Sequence, residues 1–289
     1  AEGAYWRLSL ARDVVRVQKD SAARAETMRD WMSKQSQMQL ADKSDFLQSE
    51  AALKVKLLEL EAAQDDERDA ALAFNSIRGI DKGAVTETLA SPNPDNLLSA
   101  APPSRADLRD DVKQAKEQSR AAVAVADMSL QRASPTLEVY STLSLNGRDA
   151  TLSNATSESF KSLHPANIVG LRFSAPLNFG VLSETRSGYT KERVAAEQRY
   201  ERGLFEQERD WESLIRKLGE SKERLKLTRS IETAQKEKLE NERQRHRRGR
   251  STTYQVILFE QDYSNAVLKR ISTQGEILQI LSQLKTFGG

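Results

Sequence analysis

The sequence has no cysteine and only two histidines, His164 and His246, in 289 residues. Without cysteine there is no disulfide framework, no thiol nucleophile and no Cys-based zinc site. The compartment stays open, because both the cytosol and an oxidising periplasm tolerate such a chain. His246 has no second His or Cys at ligand spacing, and His164 sits alone in a polar stretch, so neither nominates a metal site. Aromatics are scarce at 6%, and hydrophobic residues reach only 38%, against about 45–50% apolar in an average domain. The longest apolar run is Ala121–Ala126, far short of the ~20 residues a membrane helix needs. Charge of one sign is also lacking. The 44 basic and 42 acidic residues leave a net +2, which argues against a general polyanion binder. The chain opens directly into a helical pattern, with nothing resembling a signal peptide. Either a targeting segment has been removed or the chain is cut.

Charged residues are plentiful at 30%. This composition suits long solvated helices, a disordered polar chain, or a protein whose core is completed by other chains. Enzyme signatures are missing. There is no phosphate loop, no His-Glu-x-x-His and no placeable Ser/His/Asp set, and no carboxylate pair shows a sign of burial. No catalytic residue, cofactor site or metal site is nominated. Asn154-Ala155-Thr156 matches a glycosylation pattern by letters alone.

Residues 4–78 contain neither Pro nor Gly and read as helix, with Leu8, Val15, Leu40, Leu47, Leu53, Leu57, Leu60 and Leu72 at three-, four- and seven-residue separations. Residues 79–104 break the pattern. Gly79, Gly83 and four of the seven prolines lie there, so the segment reads as a linker. Ser104-Arg105-Ala106-Asp107 looks like a capping-box start for a helix running to about Ala133.

The period then switches to two. In 135–146, Leu137, Val139, Leu143 and Leu145 alternate with Glu138, Tyr140, Thr142 and Asn146. In 167–176, Val169, Leu171, Phe173 and Ala175 alternate with polar or small residues, and Ile168 breaks the rule. These are half-buried strands about ten residues long joined by a polar loop, 147–166. An ordinary hairpin packed on helices fits them. So does a pair of transmembrane β-strands, which need ~9–11 residues.

From Val181 to Arg245 the chain is helical again. Leu204, Trp211, Leu218 and Leu225 repeat every seven residues, with Leu214 between, as in a coiled-coil seam. A helix of that length would run on the order of 100 Å. Gly249 interrupts. A last helix follows from about Thr252 to Thr286, striped by Val256, Phe259, Tyr263, Val267, Ile271, Leu278, Leu281 and Leu284. Arg243, Arg245, Arg247, Arg248 and Arg250 cluster at the break, partly neutralised by Glu237, Glu240 and Glu242. They read as a solvated helix end, a protein-docking tip or a nucleic-acid patch; no aromatics are interleaved, which weighs against the last.

An internal repeat is visible. Asp45-Phe46-Leu47-Gln48-Ser49-Glu50 matches Gln255-Val256-Ile257-Leu258-Phe259-Glu260 at an offset of 210, and the two copies end at Gly79 and at Gly288–Gly289. The second copy holds a helix, a hairpin, a long helix, a turn and a helix from about residue 105. The first would then begin about a hundred residues upstream of Ala1, with a first hairpin absent here.

Four stretches together resemble the outer-membrane efflux proteins, the TolC-like exit ducts of Gram-negative bacteria. Ala4-Tyr5-Trp6-Arg7-Leu8 is similar to the family's Ala-Tyr-Trp-x-Leu. Ser104-Arg105-Ala106-Asp107-Leu108 is similar to its Arg-Pro-Asp-Leu. Val169 to Gly180, with Ala175-Pro176-Leu177-Asn178-Phe179-Gly180, resembles the strand leading into a Pro-Leu-Phe-x-Gly turn. Arg245-His246-Arg247-Arg248-Gly249-Arg250-Ser251 resembles Arg-Tyr-x-x-Gly-x-x-Ser at a hairpin tip, with the serine one place early.

The resemblance implies a mainly α fold with a β-hairpin. Long antiparallel coiled-coil helices would form a periplasmic α-barrel. The strands would contribute to a twelve-stranded transmembrane β-barrel shared by a homotrimer. It implies residues 1–78 as a first helical hairpin, 79–104 as an equatorial segment, 105–134 as a helix, 135–177 as a transmembrane hairpin with an extracellular loop, and 178–289 as a second helical hairpin. Leu137, Val139, Leu143, Leu145, Val169, Leu171 and Phe173 would face lipid; Glu138, Tyr140, Thr142, Asn146 and Arg172 would face the lumen. Pro135 and Pro176 would mark the helix–strand junctions.

The implied function is passive export across the outer membrane in a tripartite efflux or type I secretion system, with no chemistry of its own. The implied partners are a periplasmic adaptor (membrane fusion) protein, an inner-membrane pump and outer-membrane lipid, with no nucleic acid. Arg247, Arg248, Arg250 and Ser251 fall at the implied adaptor-docking tip. Gln39, Asp45, Gly249 and Gln255 fall at the implied periplasmic gate. Gln39 stands where the family has glycine, so that turn need not be built the same way. Asp45 matches an acidic residue that narrows the entrance, whereas Gln255 offers no charge at the second tip. The alternative is a soluble periplasmic coiled-coil adaptor or scaffold.

Overall fold

A computed structural model describes residues 1–105, 108–132, 134–161, 165–175 and 177–288, without the side chains of Leu130 and Arg132. The expected helix start at Ala106 and Asp107, the loop histidine His164, Pro176 and the terminal Gly289 lie outside the described residues.

The elements in order are α1 (Glu2–Gln37), α2 (Lys43–Arg78), α3 (Pro94–Ser99), α4 (Asp110–Arg132), β1 (Thr136–Leu145), α5 (Leu152–Phe160), β2 (Pro165–Ser174), α6 (Phe179–Arg247), α7 (Thr253–Leu284) and a 3-10 turn, Lys285–Phe287. They fall into two units, residues 1–109 with 208–289, and residues 110–207.

In the first unit, α1 and α2 form one helical hairpin, and the second part of α6 forms another with α7. The seam leucines Leu218 and Leu225 are buried against Ile277, Leu278 and Leu284, with Trp211 and Leu214 packed alongside. A second cluster joins Leu8 of α1 to Ala70 and Ala71 of α2 and to Val85. Gly275 lets α7 approach α1, since a Cβ there would lie 3.0 Å from Leu10.

The proline-rich linker has few backbone partners of its own, so helix side chains supply them. Arg12 donates to the carbonyls of Glu87 and Val85. Ser9 donates to Ala90 O, and the Ala90 N–H donates to Tyr5 Oη. Gln274 donates to Pro92 O, and Lys222 to Ala100 O. Asn93 caps α3 by accepting from the Asp95 N–H at 2.9 Å. The chain's end is held by a stack in which Arg105 lies over Trp211, Trp211 meets Phe287, and Arg109 lies over Phe287.

In the second unit, Val112 of α4 is buried beside Gly203 of α6. The strands β1 and β2 pair antiparallel, with Leu137 opposite Phe173 and Val139 opposite Leu171. β2 begins at Pro165, two residues before the alternation becomes visible, and the connecting loop contains α5. Proline is tolerated there because it is the first residue of an edge strand. No helix among the described residues is long and apolar enough to cross a membrane.

Candidate functional site

The two helical hairpins turn by the same device. At the first tip, the Gln39 N–H donates to Ser36 O and the Leu40 N–H to Gln35 O. At the second, the Gly249 N–H donates to His246 O and the Arg250 N–H to Arg245 O. Both are Schellman caps, which need a left-handed residue. Gly249 adopts φ +70° and Gln39 φ +58°. The absent glycine therefore does not change the turn; Gln39 takes the strained conformation instead. Helices α1 and α6 end at Gln37 and Arg247, and α2 and α7 begin at Lys43 and Thr253. Each pair is 210 residues apart, as the sequence repeat requires.

The helix starts differ. Thr252 caps α7 by accepting from the Gln255 N–H at 3.3 Å, and the exposed Gln255 side chain lies 3.1 Å from Ser251 Oγ. Asp42 holds the same place before α2 and makes no side-chain cap bond. Asp45 lies in the first turn of α2, where the helix dipole favours a carboxylate.

The basic run divides into paired and unpaired members. Arg245 bonds Glu242 at 3.1 Å, and Arg247 approaches Glu240 at 3.9 Å. Among the described residues, Arg248 and Arg250 have no carboxylate partner, and both are exposed. Ser251 is half-buried and donates to Glu242.

Beneath the second tip, four helices converge on polar ties that the sequence did not announce. Glu260 of α7 is buried. Its two oxygens accept from Arg24 Nε of α1 and Arg243 Nη2 of α6, each at 2.6 Å. Lys56 of α2 is buried and donates to Glu59 and to Gln261 of α7. His246 lies edge-on to Trp31, with ring centroids 4.9 Å apart, and its Nε2 is 3.4 Å from Thr253 Oγ1. Burial pushes the His246 imidazole below its ordinary value, against the opposing pull of Asp45 and Glu242. The only cue in the sequence was the repeat itself, which places Glu260 at the position of Glu50.

The sheet sorts its residues by face. Leu137, Val139, Leu143 and Leu145 share one face with Val169, Leu171 and Phe173, all of them exposed within this chain. The opposite face carries Glu138 with Arg172 at 3.8 Å, Thr142, and Tyr140 over Gly170. A Cβ at Gly170 would sit 2.6 Å from the tyrosine ring, so a larger residue there would displace the exposed ring. Ile168 is the apolar exception on that face.

This arrangement of repeated helical hairpins and a two-stranded sheet is similar in fold to solved outer membrane proteins and channels. The chain is similar over its whole length to the outer membrane protein VceC from Vibrio cholerae, with a TM-score of 0.81 at 17% identity, covering 100% of this chain and 68% of that one. The outer-membrane channel OprN matches with a TM-score of 0.80 at 16% identity, covering 100% and 65%. The CmeC outer membrane channel of Campylobacter jejuni matches at 0.78 and 13%, covering 99% and 61%. The chain thus spans roughly two thirds of the length of these structures. No family model matches the chain, and no curated protein matches it.

Proposed function

We propose that the chain is the larger part of one subunit of a passive exit duct through the outer membrane of a Gram-negative bacterium. The observation that carries this reading is the sheet. Seven apolar side chains stand exposed on one face of two ten-residue strands, and a charged pair stands on the other. Two strands leave open edges, which lipid does not allow. Closure with strands of sister subunits satisfies the edges, turns the apolar face to lipid and turns Glu138, Tyr140, Thr142 and Arg172 to a water-filled lumen. The neighbours described as outer membrane channels support the same assignment.

In this reading the subunit is one of three. The helical hairpins extend into the periplasm, with the region of Asp45 and Gln255 at the gated entrance. Arg247, Arg248, Arg250 and Ser251 dock a periplasmic adaptor that joins the duct to an inner-membrane pump. The duct performs no chemistry; the pump supplies the energy. Arg248 and Arg250 are the members of the basic run with charge to spare for a partner.

Membrane fractionation tests the placement. The protein should appear as a trimer in outer membranes, and a soluble monomer would overturn the duct in favour of a soluble scaffold. Charge reversal tests the docking surface. Arg248→Glu with Arg250→Glu should sharply reduce crosslinking to the adaptor, and unchanged crosslinking would remove these residues from that role.

A further inference from the structure

Below the second tip, α1, α2, α6 and α7 line a half-open cavity of about 370 Å³. This lies within the range of small-molecule pockets, about 300–1,000 Å³. Its walls are apolar where Met28 and Trp31 of α1, Ala52 of α2, and Val256 and Ile257 of α7 face it. Its charged groups are mostly cationic, Arg24, Lys56, Arg243 and Arg247 against the single carboxylate of Glu260, and Thr27, Ser49 and His246 complete the polar lining. That carboxylate is already occupied on both oxygens. Lys56 is committed to Glu59 and Gln261. Arg24 and Arg243 each spend one nitrogen on Glu260, and a guanidinium has five N–H donors. An apolar chamber with surplus guanidinium donors at its rim is complementary to a ligand with an apolar body and one anionic head.

We infer that this cavity is a binding site for a small amphipathic organic anion, an aromatic or aliphatic carboxylate whose head group bonds Arg24 and Arg243 and whose body lies against Met28, Trp31, Val256 and Ile257. The site draws on the geometry of the four-helix unit and does not depend on the duct reading. Because all four helices contribute, an occupant favours the state in which the two hairpins are held together.

The probe is 2-naphthoate, with 2-naphthamide as its neutral counterpart, titrated by calorimetry against the protein purified in an uncharged maltoside detergent, with the detergent alone as blank. The expected result is saturable binding of one naphthoate per chain, at least ten-fold weaker binding of the amide, and a rise in melting temperature with the acid. Arg243→Gln should weaken naphthoate at least ten-fold. That variant also frees one oxygen of Glu260, so Ala52→Phe provides the second test. It narrows the chamber, leaves every charge in place, and should weaken binding at least ten-fold while helicity by circular dichroism stays unchanged. Absence of saturable binding up to millimolar naphthoate, equal binding of acid and amide, or undiminished binding to Ala52→Phe would each overturn the inference.

Discussion

The two hairpin tips share a backbone and almost no chemistry. Each reverses through a Schellman cap with one residue at positive φ, followed by a helix that begins four residues later. The second tip fills this frame with residues suited to it: glycine at the left-handed position, a threonine cap, and a buried carboxylate held between two arginines. The first uses Gln39 at the left-handed position and an uncapped Asp42. Its residues from Ser36 to Asp45 are mostly polar, Met38 and Leu40 among them are exposed, and Met32, buried at 2%, stands where the second copy has Glu242. Repeat symmetry therefore fixes path and not polarity. The second tip is tied by directional charged bonds, which can be broken one at a time. The first hairpin shares in those ties through Arg24 and Lys56 but, among the described residues, supplies no buried carboxylate of its own beneath its tip.

The largest expected effect comes from cutting those ties. Glu260→Ala leaves Arg24 and Arg243 without their shared acceptor. Charge-assisted hydrogen bonds are worth about 1.5–3 kcal/mol each. The arginines are about one-third exposed at their side chains, so solvent softens the loss below the roughly 3–5 kcal/mol of a fully buried pair. We expect a destabilisation of about 2–3 kcal/mol, read from denaturant midpoints. Its repeat partner Glu50 makes a largely exposed pair with Lys54, so Glu50→Ala should stay within about 0.5 kcal/mol. Equal effects would erase the distinction between the tips.

Backbone substitutions come next, and they should have opposite signs at the two turns. Gly249→Ala forces a Cβ into the left-handed region and should cost about 1–2 kcal/mol. Gln39→Gly relieves the same strain and should stabilise by about 0.5–1 kcal/mol. Thr252→Ala removes a cap and should cost about 1 kcal/mol, whereas Asp42→Ala loses no cap bond and should cost less. Thermal unfolding of the four variants in one buffer checks the set.

These contrasts also explain what could be read ahead of the structure. The strands were legible because alternation of Leu137, Val139, Leu143 and Leu145 is a local signal set by the pleat. The 210-residue offset was legible because helix starts favour similar residues. The break between Gln37 and Lys43 was hidden within the apparent helix of residues 4–78, since the chain turns there without Gly or Pro, and the resemblance alone pointed to Gln39. Helix α5 was hidden because six of its nine residues are polar and none of the nine is buried. The Glu260 ties and the cavity beside them need three or four helices at once, so no single stretch of sequence carries them.

The smallest effect separates the tips by pH. His246 stands at the second tip, and Ser36 occupies the matching place at the first. The imidazole meets Trp31 of α1, Asp45 of α2, Glu242 of α6 and Thr253 of α7, and it lines the cavity shared with Arg24, Lys56, Arg243, Arg247 and Glu260. Burial lowers its proton affinity more than Asp45 and Glu242 restore it. The unfolded chain, with an ordinary value of about 6.5, therefore binds the proton better than the folded one. Stability from this group is complete above about pH 6.5 and is lost as pH falls through the lower folded value. Acidification should loosen the second tip before the first, seen as faster amide exchange at Gln244–Tyr254 than at Gln35–Ser44. His246→Gln should remove that difference while leaving the exchange of both tips at neutral pH nearly unchanged. If acid loosens both tips alike in the unmodified protein, the asymmetry between them does not reside in His246.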